Sequence, residues 1–200
     1  MSNTGMREIF DLQWQLNIHT LANIGKDFVT TVQDPEQKLV WIENYRKALS
    51  AELAELIREV REFGMGTQNG KIEIIDILHF LVSLSHIVEV EPEETPVFAA
   101  SENGASFDQC VIAAFLALDE LQNSLKWKWW AKGGGFKPEK ARSAILDLWE
   151  ALARTCAVFG LGFEELRQIY IAKNRVNFER QNRNYNEDTK TEADNLSITI

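Results

Sequence analysis

Apolar side chains recur every three or four positions along most of this chain, the spacing that gathers them on one face of an α-helix. Ile9, Leu12 and Leu16 mark a first helix, and a loop rich in Asp and Thr follows Phe28. A second helix is predicted from about Pro35, a residue suited to a first turn, through Trp41, Tyr45, Leu49, Leu53, Leu56 and Val60 to the stop Gly64-Met65-Gly66. A third runs over roughly 72–90, and the Pro- and Glu-rich segment 91–96, with 101–104, makes a loop at the middle of the chain. Further helices are predicted at about 107–132, 138–159 and 163–183, divided by Gly133-Gly134-Gly135 and Gly160-Leu161-Gly162. Strand-like alternation bounded by hairpin turns does not occur, so the fold is expected to be all-α, a helical bundle. Ile74-Ile75-Asp76-Ile77-Leu78 resembles Ile145-Leu146-Asp147-Leu148-Trp149. Two copies of one helical hairpin packed together would make a four-helix core. One domain is expected over 1–185, with 186–200, polar until its last residues, as a loose tail.

Composition narrows the class. Two hundred residues with 45% hydrophobic side chains can bury a sizeable core. A net charge of -9 speaks against a surface that tracks a nucleic-acid polymer, which needs Lys and Arg clustered over much of one face. Cys110 and Cys156 have neither C-x-x-C spacing nor the density of a disulfide framework, so a reducing cytoplasm is the expected location. Met-Ser-Asn-Thr-Gly leads into an amphipathic pattern without an export signal. The most apolar stretch, 72–90, carries Glu73, Asp76, His79, His86 and Glu89. That is too polar for a bilayer span, and it reads as a buried helix with no membrane role.

The acids carry the candidate chemistry. Glu52, Glu55, Glu59 and Glu62 line one face of the second helix, which by itself reads as a solvated surface. Glu73 and Asp76 are different, because they interrupt a segment apolar on nearly every side. A buried carboxylate costs several kcal/mol unless it meets a cation or takes a proton. One internal salt bridge would not account for two acids three residues apart facing a second acidic pair. A metal site built from Glu52, Glu55, Glu73 and Asp76 is therefore expected. Oxygen-only ligands favour a hard ion, magnesium or manganese, and magnesium keeps waters or substrate phosphates in its shell. His79, one turn past Asp76, reads more readily as a packed core residue than as a ligand.

Near the end of the last helix, Lys173, Asn177 and Arg180 fall at i, i+4 and i+7, offering two cations and an amide to phosphate oxygens. A basic last turn that complements the helix dipole is the plainer reading of the same residues. Taken together, the chain resembles the dimeric, all-α dUTPase family, a relative of the MazG-type nucleotide pyrophosphohydrolases, over almost its whole length. The resemblance rests on Leu12-Gln13-Trp14-Gln15-Leu16-Asn17, Glu52-x-x-Glu55, Glu73-x-x-Asp76 with His79-Phe80, and Trp127-Lys128-Trp129-Trp130. Most specific is Lys173-Asn174-x-x-Asn177-x-x-Arg180-Gln181, ending at Tyr185. Asn184 stands where the family usually has Gly, and the Trp cluster lies in the second half instead of just after the Glu-x-x-Glu helix. Trp127, Trp129 and Trp130 accordingly read as core or dimer-interface aromatics.

The resemblance implies that Glu52, Glu55, Glu73 and Asp76 hold magnesium against the phosphates and that Lys173, Asn177, Arg180 and Tyr185 grip the phosphate chain. It implies that Gln13 and Asn17 read uracil, while His79 and Trp41 pack on sugar or base. The expected reaction is hydrolysis of dUTP to dUMP and pyrophosphate, with dUDP also a substrate, attack at the β-phosphorus, and Glu55 or Glu52 activating the water. The working form would be a homodimer. An amide offers a donor and an acceptor, and when flipped it matches cytosine. A dCTP-directed or broader pyrophosphohydrolase is thus the alternative among enzymes, and a non-catalytic helical interaction module the alternative outside them.

Overall fold

The computed structural model describes residues 4–99 and 105–182, and every regular element among them is helical. These are α1 (Thr4–Asn23), α2 (Phe28–Gln33), α3 (Gln37–Phe63), α4 (Gln68–Val88), a single 3-10 turn at Pro92–Glu94, α5 (Phe107–Ser124), α6 (Pro138–Val158) and α7 (Phe163–Asn182). The all-α expectation holds. Segment 186–200 and Tyr185 lie outside the described residues, so the expected tail and domain boundary lie there as well.

Where boundaries differ from the periodicity, side-chain caps explain it. Asp27 accepts from the Thr30 N–H at 2.7 Å and from Thr30 Oγ1 at 2.6 Å, and this cap turns the expected loop after Phe28 into the short helix α2. Asp34 Oδ1 accepts from the Gln37 N–H at 2.7 Å, so α3 starts after Pro35. Thr67 caps α4 through the Gly70 N–H at 2.9 Å, ahead of the apolar run that begins at Ile72. α5 stops at Ser124 with an extended Leu125, well short of Lys132, and the Trp cluster falls in the following turns. Trp129 is 82% exposed and Trp130 63%, so these rings are not core residues.

α3 and α4 form one hairpin, α5 and α6 a second, and they meet through α4 on α6 and α3 on α5. The core between them is built from Leu49, Leu53 and Leu56, Ile74, Ile77 and Leu81, Leu118 and Leu121, and Ile145, Leu148 and Leu152. This is the four-helix core expected from two packed hairpins. α1 and α7 pack on each other and close over α4, which explains why α4 is apolar nearly all round. Trp149 is fully buried and its Nε1–H donates to Ser85 Oγ at 2.9 Å, satisfying both polar groups inside the core.

Candidate active site

Four helices each turn one stripe toward a common cleft of about 280 Å³. α3 supplies Trp41, Tyr45, Glu52 and Glu55; α4 supplies Glu73, Asp76, His79, Phe80 and Ser83. α1 adds Gln13, Leu16, Asn17 and Thr20, and α7 adds Lys173, Asn177, Arg180 and Gln181. Within each helix the members recur every three, four or seven residues, with adjacent pairs at Leu16–Asn17, His79–Phe80 and Arg180–Gln181, so each set lies along one face. Every site residue named from sequence lines this cleft apart from Tyr185, which lies outside the described residues.

At one end, Glu52, Glu55 and Glu73 each bring a carboxylate oxygen within 4.8 Å of the other two. Glu73 is only 7% exposed. Burial, with the neighbouring charges of Asp76, Glu52 and Glu55 added, pushes its carboxyl up to about 8 in spite of the nearby Lys173 ammonium. A half-buried site that concentrates negative charge on oxygen donors alone, with no His or Cys in the group, fits a hard divalent cation such as magnesium or manganese. Asp76 occupies a different position from the other three. Its Oδ2 pairs with Lys173 Nζ at 2.8 Å, and the Lys173 side chain is 3% exposed, so a protein cation from α7 meets the fourth acid. Of the remaining acids on α3, Glu59 turns to the α3–α4 corner, accepting from Thr67 Oγ1 at 2.7 Å and Asn69 Nδ2 at 3.1 Å. Glu62 is exposed. The two halves of that acidic face therefore do different jobs.

At the other end lies a buried polar network. Gln13, Asn17, His79 and Ser83 are each less than a tenth exposed. His79 Nδ1 is 2.6 Å from Gln13 Oε1, and Gln13 Nε2 donates to Asn17 Oδ1 at 2.8 Å and to Ser83 Oγ at 3.0 Å. Burial, followed by the Lys173 charge, pushes the His79 imidazole down to about 3, so it is neutral at physiological pH. Nδ1 then carries the proton toward Gln13, and Nε2 accepts from Asn177 Nδ2 at 3.5 Å. Along the side between the two ends, Trp41 lies 5.4 Å from Tyr45, and Tyr45 lies 6.1 Å from Phe80. This gives the cleft an aromatic wall against which a planar ring can pack.

Sequence reasoning did not single out Thr20, Tyr45, Ser83 or Tyr170. Ser83 did carry a signal: a hydroxyl one turn past His79 and two past Asp76 on an otherwise apolar helix. Tyr170, 0% exposed, sets its ring 4.4 Å from His79 at a tilt of 30° and reaches Gln13, a contact across α1, α4 and α7 that no local pattern reveals.

A family model described as dUTPase matches residues 5–185. No curated protein matches the chain.

Proposed function

The chain belongs to the dUTPase family of the all-α type and is a dUTP diphosphatase, and from that premise we propose that the cleft hydrolyses dUTP, and dUDP with it, using a magnesium ion. One observation carries this reading. Acids, cations and amides from four separate helices line a single cleft, ordered from a metal-fitting end to a base-sized polar end.

Glu52, Glu55 and Glu73 would hold the ion, with Asp76 joining them when Lys173 is drawn to phosphate. When bound, the ion neutralises phosphate charge and lowers the pKa of water. The chain's own groups account for the rest. Arg180 and Lys173 offer a fork and a point charge to the phosphate oxygens, and Asn177 adds an amide. Glu55 or Glu52 takes the proton of the attacking water as the bond to the leaving phosphate opens. Trp41 and His79 border the sugar and base, and Gln13 and Asn17 form the end where uracil is read. Manganese would serve in place of magnesium, since both take oxygen ligands.

Glu55→Gln keeps the shape of the side chain but cannot accept a proton. Pyrophosphate release from dUTP with magnesium is expected to fall by about 10²–10⁴-fold, the usual weight of a general base. Wild-type protein that releases none would sink the proposal. Equal turnover of dCTP and dUTP would replace uracil with a broader base preference.

The working form is proposed to be a homodimer. Ile112, Phe115 and Leu116 share one exposed face of α5, at 59%, 42% and 63%, and Trp129 and Trp130 stand exposed in the next turn. A contiguous apolar face of this kind suits a second copy of the chain. No helix among the described residues is long and apolar enough to cross a membrane. Cys110 and Cys156 are buried and not joined in a disulfide, which suits the cytoplasmic site of action proposed.

A further inference from the structure

An amide that reads a base must be held in one orientation, because turned over it matches the wrong base. Uracil shows acceptor, donor, acceptor along its edge, with N3 carrying hydrogen. In cytosine N3 is a bare acceptor and the neighbouring exocyclic group is a donor. A side chain that presents N–H and C=O in one order therefore suits uracil, and in the reverse order suits cytosine.

Gln13 has no capacity left for a ligand. Its Oε1 accepts from Tyr170 Oη at 2.7 Å and faces His79 Nδ1 at 2.6 Å, using both lone pairs. Its Nε2 donates one hydrogen to Asn17 Oδ1 and the other to Ser83 Oγ, at 2.8 and 3.0 Å. Asn17 is the opposite case. Its Oδ1 is engaged from within, while its Nδ2 is buried and has no hydrogen-bond partner among the described residues. A buried donor left unmade costs about 1–3 kcal/mol, which an acceptor on a ligand would recover. The Ser83 hydroxyl also meets the Tyr45 hydroxyl, and its one hydrogen has the His79 carbonyl at 2.9 Å nearer than Asn17 Oδ1 at 3.2 Å. When it goes to the nearer carbonyl, Asn17 Oδ1 keeps a lone pair for a donor.

We propose that Tyr170 and His79 are positioning residues that set the uracil preference by fixing Gln13, which in turn fixes which end of the Asn17 amide is left unpaired. This rests on the dUTP reading of the preceding subsection and divides the labour within it: Asn17 touches the base, and Gln13 orients Asn17. With the His79 proton on Nδ1, Gln13 cannot turn over without setting N–H against N–H, and the Tyr170 hydroxyl adds a donor that favours the same orientation. With Gln13 held, turning Asn17 over would set two amide N–H groups against each other. The order that remains, an unpaired Nδ2–H beside Oδ1, pairs with a uracil carbonyl and N3–H. Against cytosine, Oδ1 would face the bare N3, and Nδ2–H would gain an acceptor only by giving up the other match.

Tyr170→Phe removes one of the two donors on Gln13 and leaves the ring in place. The ratio of kcat/KM for dUTP over dCTP is expected to fall by about tenfold, the equivalent of one net hydrogen bond. The change should appear mainly in KM. In wild-type protein, ¹⁵N resonances of His79 should show the Nδ1–H tautomer at neutral pH, a reading that needs no variant to fold. A wild type that prefers dUTP while Tyr170→Phe keeps the full preference overturns the positioning role alone, as does an Nε2–H tautomer. A wild type that cleaves no dUTP overturns the underlying function instead.

Discussion

Glu73 is the residue where burial and charge meet most sharply. In the unfolded chain its carboxyl ionises near 4.5, and in the fold it is pushed up to about 8, first by burial and then by Asp76, Glu52 and Glu55. Between those two values the folded chain holds a proton that the unfolded chain has lost. Its contribution to stability is therefore complete below about 4.5 and disappears as pH rises through about 8. In metal-free protein the thermal midpoint is expected to decline across that window, and Glu73→Gln should flatten the decline. Magnesium needs the carboxylate, so its binding below about 8 should release protons, measurable by calorimetry in buffers of different ionisation enthalpy. Equal heats in all buffers would show that Glu73 does not ligate the ion.

At the scale of the element, the α3–α4 corner decides where the acids stand. Thr67 caps α4 through the Gly70 N–H and donates to Glu59 on α3, fixing the pitch at which Glu73 and Asp76 face Glu52 and Glu55. Thr67→Ala is expected to cost about 1 kcal/mol by chemical denaturation, the usual weight of a cap. Gly70 has close neighbours, the ring just past the end of α6 and its own helix cap: a Cβ there would lie 2.9 Å from Phe159 Cε1 and 3.0 Å from Thr67 Oγ1. Alanine is the better helix former by about 1 kcal/mol, yet Gly70→Ala is expected to lower stability because the buried Phe159 ring must shift. A rise in the denaturation midpoint would show that the ring yields freely.

At the scale of the whole molecule, the exposed α5 face and the Trp129–Trp130 corner bear on assembly. Sedimentation is expected to give about twice the 22.9 kDa of one chain. Leu116→Glu, which places a charge in the middle of that face, should shift the mass toward a single chain while the helical content is unchanged. A wild-type monomer would remove the dimer from the proposal.

Much of this was legible in the amino-acid order because helical chemistry is local. Three-and-four spacing specifies the faces of α1, α3, α4 and α7, and acids inside the apolar run of α4 announce a site before any contact is known. The terminal Lys173-to-Arg180 pattern made the family recognisable. Cap-dependent boundaries were harder, since Asp27 starts α2 by accepting from Thr30, against the periodic trend. Only the tertiary structure decided which acid meets which partner. Lys173 reaches Asp76 from 97 positions further along the chain, and Glu59 turns away to a corner while Glu52 and Glu55 turn inward. The same holds for the base end, where Gln13 is spoken for by Tyr170 and His79 and Asn17 is left with an unmatched donor. Periodicity places a side chain on a face, but hydrogen-bond direction depends on what the packed neighbours have already taken.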